Sequence, residues 1–264
     1  GGDSGAGENM YSKVRKTFLI ALIPAVVLCL MALAFTVAQQ PAGAAQGQKQ
    51  TLPDDNTGFV PLFDGKTLTN WDGEPGFWRV ENGIITGETT ADKKLKKNTF
   101  LIWRGGTVAN FELKAEFKVT ESANSGVQYR SSLLSDIGPW VMKGYQADID
   151  GKNNYTGMLY EERGRGFLAP RGQFNRKAED GTSKQIGSTG DAEALKAFIK
   201  AGDWNQIHII ARGLVLTHVL NGHVMSMFID EDPKGRLMEG SLGLQLHAGP
   251  PMKVEYRNIL YRKL

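Results

Sequence analysis

The stretch Phe111-Glu-Leu-Lys-Ala-Glu-Phe-Lys-Val119 alternates apolar and polar side chains along its whole length. Because successive side chains of a β-strand point to opposite faces, this alternation predicts a strand with one buried and one solvated face. Further along, Val219-Leu-Asn-Gly-His-Val224 places Asn-Gly between two apolar runs. That arrangement is a strong signal for a two-residue β-hairpin. The two stretches together predict antiparallel β-structure.

Comparable runs recur from Gly58 to the C-terminus, separated by Gly, Asn, Asp and Pro. The predicted strands are Trp78–Glu81, Ile84–Thr86, Thr99–Trp103, Phe111–Val119, Ser125–Arg130, Tyr145–Asp150, Gly157–Tyr160, Asn205–Arg212, Leu214–Leu220, His223–Ile229, Gly240–His247 and Met252–Tyr261. A helix is predicted over Asp191–Lys200, where Asp191 can cap the first turn and Gly202 lies just past the end. These elements indicate an all-β sandwich or jelly roll.

Residues 164–190 interrupt this pattern, because they are rich in Gly, Arg, Lys, Ser and Gln and carry few apolar side chains. We expect a long surface loop there. Such a loop is either a binding loop or lid, or an insertion that the fold tolerates.

The composition excludes several classes of protein. The chain has 264 residues, of which 41% are hydrophobic and 22% charged, so it is not collagen-like, a coiled coil or wholly disordered. Its 31 Lys and Arg against 28 Asp and Glu give a net charge of +3, too balanced for binding nucleic acid by phosphate neutralisation. Cys29 is the only cysteine, which excludes a disulfide framework and a Cys-based zinc site.

The N-terminal part has the features of an export signal. Lys13, Arg15 and Lys16 precede the uncharged residues 17–38, and small alanines follow. A basic region, an apolar region and an A-x-A-like site predict a signal peptide, and the alternative is an uncleaved membrane anchor. Cys29 follows a bulky leucine, so we interpret it as part of the apolar run rather than as a lipid-carrying cysteine.

This interpretation divides the chain into three parts. Residues 1–45 form the extension with its signal or anchor, residues 46–57 a linker rich in Gln, Gly, Pro and Asp, and residues 58–264 the folded domain. The domain is then expected to be exported, and to be periplasmic, secreted or anchored to the membrane through residues 17–38.

Four predicted strands carry polar side chains on the face opposite to their apolar ones. These side chains are Gln128 and Arg130, then Gln146, Asp148 and Asp150, then Tyr160 and Glu162, and finally Gln245 and His247. This mixture suits hydrogen bonding to sugar hydroxyls, so we expect a ligand groove; the alternative is a solvated face. His247 ends a strand, and because an imidazole exchanges protons near neutral pH, it is the best single candidate for a general base.

Several stretches in order resemble the 3-keto-disaccharide hydrolase domain family, formerly a domain of unknown function. They are Phe59-Val-Pro-Leu-Phe-Asp-Gly-Lys-Thr-Leu-Thr-Asn-Trp71, Phe77-Trp-Arg-Val-Glu-Asn-Gly-Ile-Ile-Thr-Gly-Glu88, Asn124-Ser-Gly-Val-Gln-Tyr-Arg130, Lys143-Gly-Tyr-Gln-Ala-Asp-Ile149, Gly157-Met-Leu-Tyr-Glu-Glu162, Gly202-Asp-Trp-Asn205 and Gly243-Leu-Gln-Leu-His-Ala-Gly249. The resemblance implies a concanavalin-like jelly roll with a concave carbohydrate-binding sheet. It also implies cleavage of glycosides oxidised at C3 of the sugar.

That chemistry needs a base for the C2 hydrogen, a group that polarises the C3 oxygen and an acid for the leaving oxygen. We assign the base to His247, with Asp148 as its rival, and the acid to Glu162. Arg130 or a bound divalent metal would polarise the ketone. The hydroxyl-binding candidates are Gln128, Gln146, Asp150, Tyr160 and Gln245, and Trp140 is a candidate for stacking on a sugar face.

Three other functions remain open at this point. They are a non-catalytic carbohydrate-binding module, a structural or adhesion β-sandwich, and an ordinary glycosidase with paired carboxylates. The E-x-D-x-x-E motif of related jelly-roll glycosidases is missing, because Gln146 stands where its first Glu would lie.

Overall fold

The computed structural model describes residues 55–264. The predicted export segment, with Cys29 and residues 17–38, lies outside the described residues. No helix within residues 55–264 is long and apolar enough to span a bilayer.

The described chain forms seventeen strands and one helix. In chain order the elements are β1 (Val60–Pro61), β2 (Trp71–Asp72), β3 (Trp78–Glu81), β4 (Ile84–Thr89), β5 (Thr99–Val108), β6 (Phe111–Val119), β7 (Asn124–Leu133), β8 (Met142–Asp150), β9 (Leu159–Glu162), β10 (Gly166–Ala169), β11 (Gln173–Lys177), β12 (Ser183–Ser188), α1 (Ala192–Lys196), β13 (Asn205–Arg212), β14 (Val215–Leu220), β15 (His223–Asp230), β16 (Gly240–Leu246) and β17 (Met252–Lys263). The predicted all-β class with one short helix is confirmed.

Two sheets enclose one hydrophobic core. The ten-stranded sheet runs β12-β11-β15-β14-β13-β6-β17-β4-β3 with β1 paired to β17, and the seven-stranded sheet runs β10-β9-β8-β7-β16-β5-β2. Leu113 and Phe117 of β6 belong to the same buried cluster as Ala147 of β8 and Leu244 of β16. The inner faces of the two sheets therefore pack against each other as a sandwich.

Local sequence signals explain where several of these elements begin and end. The strongly alternating stretch forms β6 over the predicted residues, and Asn221 and Gly222 have φ angles of 49° and 82°. Positive φ at both positions is what a type I′ hairpin turn requires. Helix α1 is shorter than predicted, although Asp191 does cap it by accepting a hydrogen bond from the Ala194 backbone.

The prediction of a loop over residues 164–190 is wrong. This segment contains β10, β11 and β12, and the last two lie at one edge of the ten-stranded sheet. Edge strands with two partly solvated faces need few apolar residues, so their composition resembles that of a loop.

The outer face of the seven-stranded sheet positions the candidate site. In β8 the side chains of Tyr145, Ala147 and Ile149 belong to the core. Because side chains alternate along a strand, Gln146 and Asp148 point to the opposite face.

Candidate functional site

A pocket of about 430 Å³ lies over the outer face of the seven-stranded sheet. Its lining residues are Asn98, Asn124, Gln146, Asp148, Tyr155, Tyr160, Glu162, Arg163, Phe167, Gln245 and His247. Three of the four predicted polar faces thus meet in one place. A second depression of about 410 Å³, near Glu88 and Lys253, has no buried charged side chain among its lining residues, so we place the candidate site in the first.

A chain of amide hydrogen bonds crosses the floor of the pocket. Gln146 Nε2 donates to Asp148 Oδ1 at 2.7 Å and to Gln245 Oε1 at 3.2 Å. Gln245 Nε2 donates to Glu162 Oε2 at 3.4 Å. The two glutamines are buried, so these bonds fix their orientation and link the two carboxyl groups.

Gly126 makes room for this network. It is the register partner of Asp148 in the neighbouring strand β7. A Cβ at position 126 would lie 2.6 Å from Cγ of Gln146, closer than van der Waals contact allows. The absence of a side chain at Gly126 therefore lets Gln146 lie across the sheet and reach Asp148.

Asp148 is a buried carboxyl group with a strongly altered acidity. Only 7% of the residue is exposed. Burial raises the pKa of Asp148 to about 8; the hydrogen bond from Gln146 opposes this, and the nearby charges of Asp150 and Glu162 add to it. The raised pKa favours the protonated form of Asp148 at neutral pH, and since Oδ1 accepts from Gln146, Oδ2 is the oxygen that can hold the proton.

His247 follows β16 directly and reaches the same pocket. Its Nδ1 lies 2.6 Å from the carbonyl oxygen of Ala248. A carbonyl oxygen can only accept, so Nδ1 carries the hydrogen in this contact. In the neutral ring this leaves the lone pair on Nε2, which is the atom that can act as a base.

Asn98 is a pocket residue that the sequence analysis missed. Its Nδ2 donates to Glu162 Oε1 at 3.2 Å, and its Oδ1 accepts from the backbone of Ala248 at 3.0 Å. It therefore joins Glu162 to the segment that carries His247. Asn98 precedes β5 and has the same parity as Phe100 and Ile102. With apolar side chains on the same face, the sequence carries no signal of a polar site at Asn98.

Gln128 and Tyr160 lie at the predicted face. Gln128 is fully buried beneath the pocket, 3.5 Å from Gln146, and within the described chain its Oε1 has no hydrogen-bond partner. Tyr160 lines the pocket. Burial, with the charges of Glu162 and Asp148, raises the pKa of Tyr160, which remains a hydroxyl donor.

Arg130 does not face the pocket. It has a φ of 48° beside an irregularity in the pairing of β7, which reverses the alternation on which its placement rested. Its guanidinium instead donates to the carbonyl oxygens of Ala109 and Gly213 at 2.7 and 2.8 Å. The predicted role of Arg130 in the site is therefore corrected to a structural one.

Asp150 and Trp140 also lie outside the pocket lining. The Asp150 carboxylate accepts from the backbone N–H groups of Asn154, Tyr155 and Thr156, at 3.0, 2.8 and 3.0 Å, and so closes the turn after β8. Trp140 donates to Asp72 at 2.9 Å and packs on a small apolar cluster. Neither side chain is placed to bind a ligand in this pocket.

Arg163 is the arginine that lines the pocket. It follows Glu162 in the turn between β9 and β10 with a φ of 56°, and it is exposed. It forms no ion pair with another residue of the described chain. Sequence alternation could not find it, because it lies beyond the end of the strand.

A divalent metal was the other group expected to polarise the ketone. Within residues 55–264 no three His, Cys, Asp or Glu side chains come together in a group that could hold a metal ion.

The comparison with known proteins decides the family. Residues 58–262 match the 3-keto-alpha-glucoside-1,2-lyase-like domain. The chain belongs to this family. A 3-keto-disaccharide hydrolase from Bacteroides thetaiotaomicron is 34% identical over 93 residues, which are 33% of this chain and 32% of that protein. The match to this member thus spans about a third of its length.

Solved structures agree with the fold of the lyase-like domain. Two candidate glycosyl hydrolases from Parabacteroides distasonis match with TM-scores of 0.53 and 0.52, at 21% and 19% identity. These matches cover 78% and 81% of this chain, and 99% and 98% of the two proteins. At this identity they show that the lyase-like domain shares a fold with them.

Proposed function

We propose that the protein cleaves glycosides already oxidised to a ketone at C3, by elimination across C1 and C2 followed by hydration. One observation carries the proposal: a buried carboxyl group whose pKa is raised, Asp148, and an imidazole with an available Nε2, His247, line the same polar pocket. Membership of the lyase-like family supports this substrate class.

The proposed reaction uses a base, an acid and a group that polarises the C3 oxygen. The C3 ketone acidifies the C2 hydrogen, and a base removes it as a proton. The electron pair left at C2 forms the C1–C2 double bond as the bond from C1 to the leaving oxygen breaks. An acid gives that oxygen a proton. Water then adds its oxygen to C1, C2 regains a proton, and the product is the free 3-keto sugar.

The base in this proposal is His247, as the sequence analysis expected. The contact from Nδ1 to Ala248 fixes which ring nitrogen is available and how the ring is turned. Asp148, the rival candidate, is unsuited to this role at neutral pH because it already carries a proton.

The acid in this proposal is Asp148, which replaces the earlier choice of Glu162. A carboxyl group with a pKa of about 8 holds its proton at neutral pH and can pass it to a leaving oxygen. Both oxygens of Glu162 already accept amide hydrogen bonds, from Asn98 and Gln245. We therefore assign Glu162 to accepting hydrogen bonds from substrate hydroxyls.

Arg163 takes the position that the sequence analysis gave to Arg130. It is the arginine in the pocket lining, and a guanidinium donates in a fixed planar geometry that suits an oxygen with developing negative charge. In the proposed reaction it polarises the C3 oxygen.

The experiment compares oxidised and unoxidised forms of one substrate. We expect the purified protein to release glucose from 3-keto-trehalose and to leave trehalose intact. The His247→Ala variant should be slower by about 100-fold or more, the usual contribution of a general base. Cleavage at the native rate by this variant would refute the base assignment.

The alternatives predict different results in the same assay. A carbohydrate-binding module would bind the sugars and cleave neither form. A glycosidase that uses Asp148 and Glu162 as paired carboxylates would cleave unoxidised trehalose. Either result would refute the proposed function.

We also propose that the domain acts outside the cytoplasm. The support is the basic residues Lys13, Arg15 and Lys16 followed by the uncharged residues 17–38. Cell fractionation of the full chain should place it in the periplasm, medium or membrane, and removal of residues 1–45 should retain it in the cytoplasm. Cytoplasmic location of the full chain would contradict this.

A further inference from the structure

Three aromatic side chains form one wall of the pocket. The aromatic wall consists of Tyr155, Tyr160 and Phe167. The Phe167 ring centre lies 5.3 Å from that of Tyr155, with 27° between the ring planes, and 5.1 Å from that of Tyr160, with 57° between them. The rings come from the turn after β8, from β9 and from β10, so three separate segments build one surface.

Two of the three side chains of the aromatic wall are exposed to an unusual degree for their size. Tyr155 is 41% and Phe167 45% exposed, while Phe100, Phe111, Phe117 and Phe228 are buried in the domain. Exposed apolar surface beside polar groups is typical of a binding site. Aromatic faces offer a large apolar area with defined geometry, which suits a flat partner.

The wall lies on the side of the pocket that holds Asp148. The backbone N–H of Asp148 donates to Met158, and the Asp148 carbonyl accepts from Gly157, at 3.1 and 3.0 Å. Met158 in turn donates to Tyr155 at 2.9 Å, so one short segment links Asp148 to the wall. His247 reaches the pocket from the end of β16, which is separated from β8 and Asp148 by strand β7.

Under the proposed mechanism, this arrangement sets the direction of the leaving group. If Asp148 protonates the leaving oxygen, the group attached to that oxygen must extend past Asp148. The aromatic wall is the surface adjoining that side.

We infer that the aromatic wall is the subsite for the leaving group, and that it selects glycosides whose leaving group is a ring with a flat apolar face. A second pyranose ring and an aryl group both have this property, and a methyl group does not. This inference rests on the proposed function, because it uses Asp148 as the acid.

The test varies the leaving group and the wall together. Three 3-keto-glucosides are compared, with methyl, phenyl and glucosyl leaving groups, for the native protein and Phe167→Ala. We expect kcat/KM of the variant to fall by about fivefold to tenfold for phenyl and glucosyl, and by less than about twofold for methyl. Phe167→Tyr, which keeps a flat six-membered ring at this position, should retain the preference for phenyl and glucosyl over methyl.

A matched control separates the wall from apolar surface in general. Ile186 on β12 is 44% exposed and lies outside the pocket lining. The Ile186→Ala variant should leave all three substrates unchanged. Equal losses for all three leaving groups in Phe167→Ala, or no loss for any, would overturn the inference while leaving the proposed function intact.

A binding measurement keeps the inference testable without turnover. Absence of cleavage of every 3-keto substrate by the native protein would refute the proposed function. Calorimetry with unoxidised phenyl and methyl glucosides then addresses the wall alone. We expect the native protein to bind the phenyl glucoside more tightly and Phe167→Ala to lose this preference; equal affinities in the native protein would overturn the inference.

Discussion

Replacing Asp148 with Asn should change how stability depends on pH. The unfolded chain releases the Asp148 proton near pH 4, whereas the folded protein keeps it up to about pH 8. Between these values the folded state binds one more proton than the unfolded state, so stability falls as the pH rises. The slope is about 1.4 kcal/mol per pH unit, or about 6 kcal/mol across the whole window.

The D148N variant isolates the pH dependence that comes from Asp148. The introduced amide does not titrate, and its oxygen can still accept the hydrogen bond from Gln146. His218 also affects the slope: burial lowers its pKa to about 4, so its contribution rises with pH between about 4 and 6.5. Since His218 is the same in both proteins, subtracting the two curves removes it. The difference between variant and native protein therefore reports on Asp148.

The assay is chemical unfolding at intervals from pH 4.5 to 8.5. We expect D148N to gain stability relative to the native protein by several kcal/mol over this range, and to lose activity by about 100-fold or more. Asp136→Asn, at an exposed position, is the matched control and should follow the native curve. Parallel curves for D148N and the native protein would show that Asp148 is ionised when folded, and its assignment as the acid would fail.

Three further predictions concern individual positions. Gly126→Ala should displace Gln146 and lower kcat/KM by at least about tenfold. The free energy of unfolding should fall by about 1–3 kcal/mol. Native activity in this variant would show that the orientation of Gln146 is unimportant. Arg163→Gln should lower kcat, with thermal unfolding unchanged, because Arg163 is exposed; an unchanged kcat would remove it from the mechanism. Arg130→Leu should destabilise the domain by about 3 kcal/mol or more, because the carbonyl groups of Ala109 and Gly213 lose their hydrogen-bond donor. Loss of activity without loss of stability would contradict the structural role of Arg130.

Strand alternation is what made most of the site predictable. Gln146 and Asp148 share a face because they are two residues apart, and the same holds for Gln245 and His247. The sequence could not show that these strands converge on one pocket, because β8 and β16 are separated by β7 in the sheet and by about ninety residues in the chain.

The residues and strands that the sequence analysis placed wrongly have local physical causes. Arg130 lies beside an irregularity in β7, where a positive φ reverses the side-chain direction, and no composition signal marks it. Asp150 has the expected parity, but the turn after β8 uses its carboxylate to satisfy backbone N–H groups. Strands β11 and β12 were missed because strands near the edge of a sheet need little apolar surface.

Isotope incorporation at C2 tests the central claim most directly. The native protein would cleave a 3-keto-glucoside in D2O, and the released 3-keto sugar would be analysed at early times against an enzyme-free control. Removal of the C2 hydrogen places that proton on His247, where it exchanges with D2O while the leaving group departs and water enters, so the account predicts deuterium at C2 of the product. A product that retains its original hydrogen at C2 would contradict elimination and, with it, the roles given to His247 and Asp148.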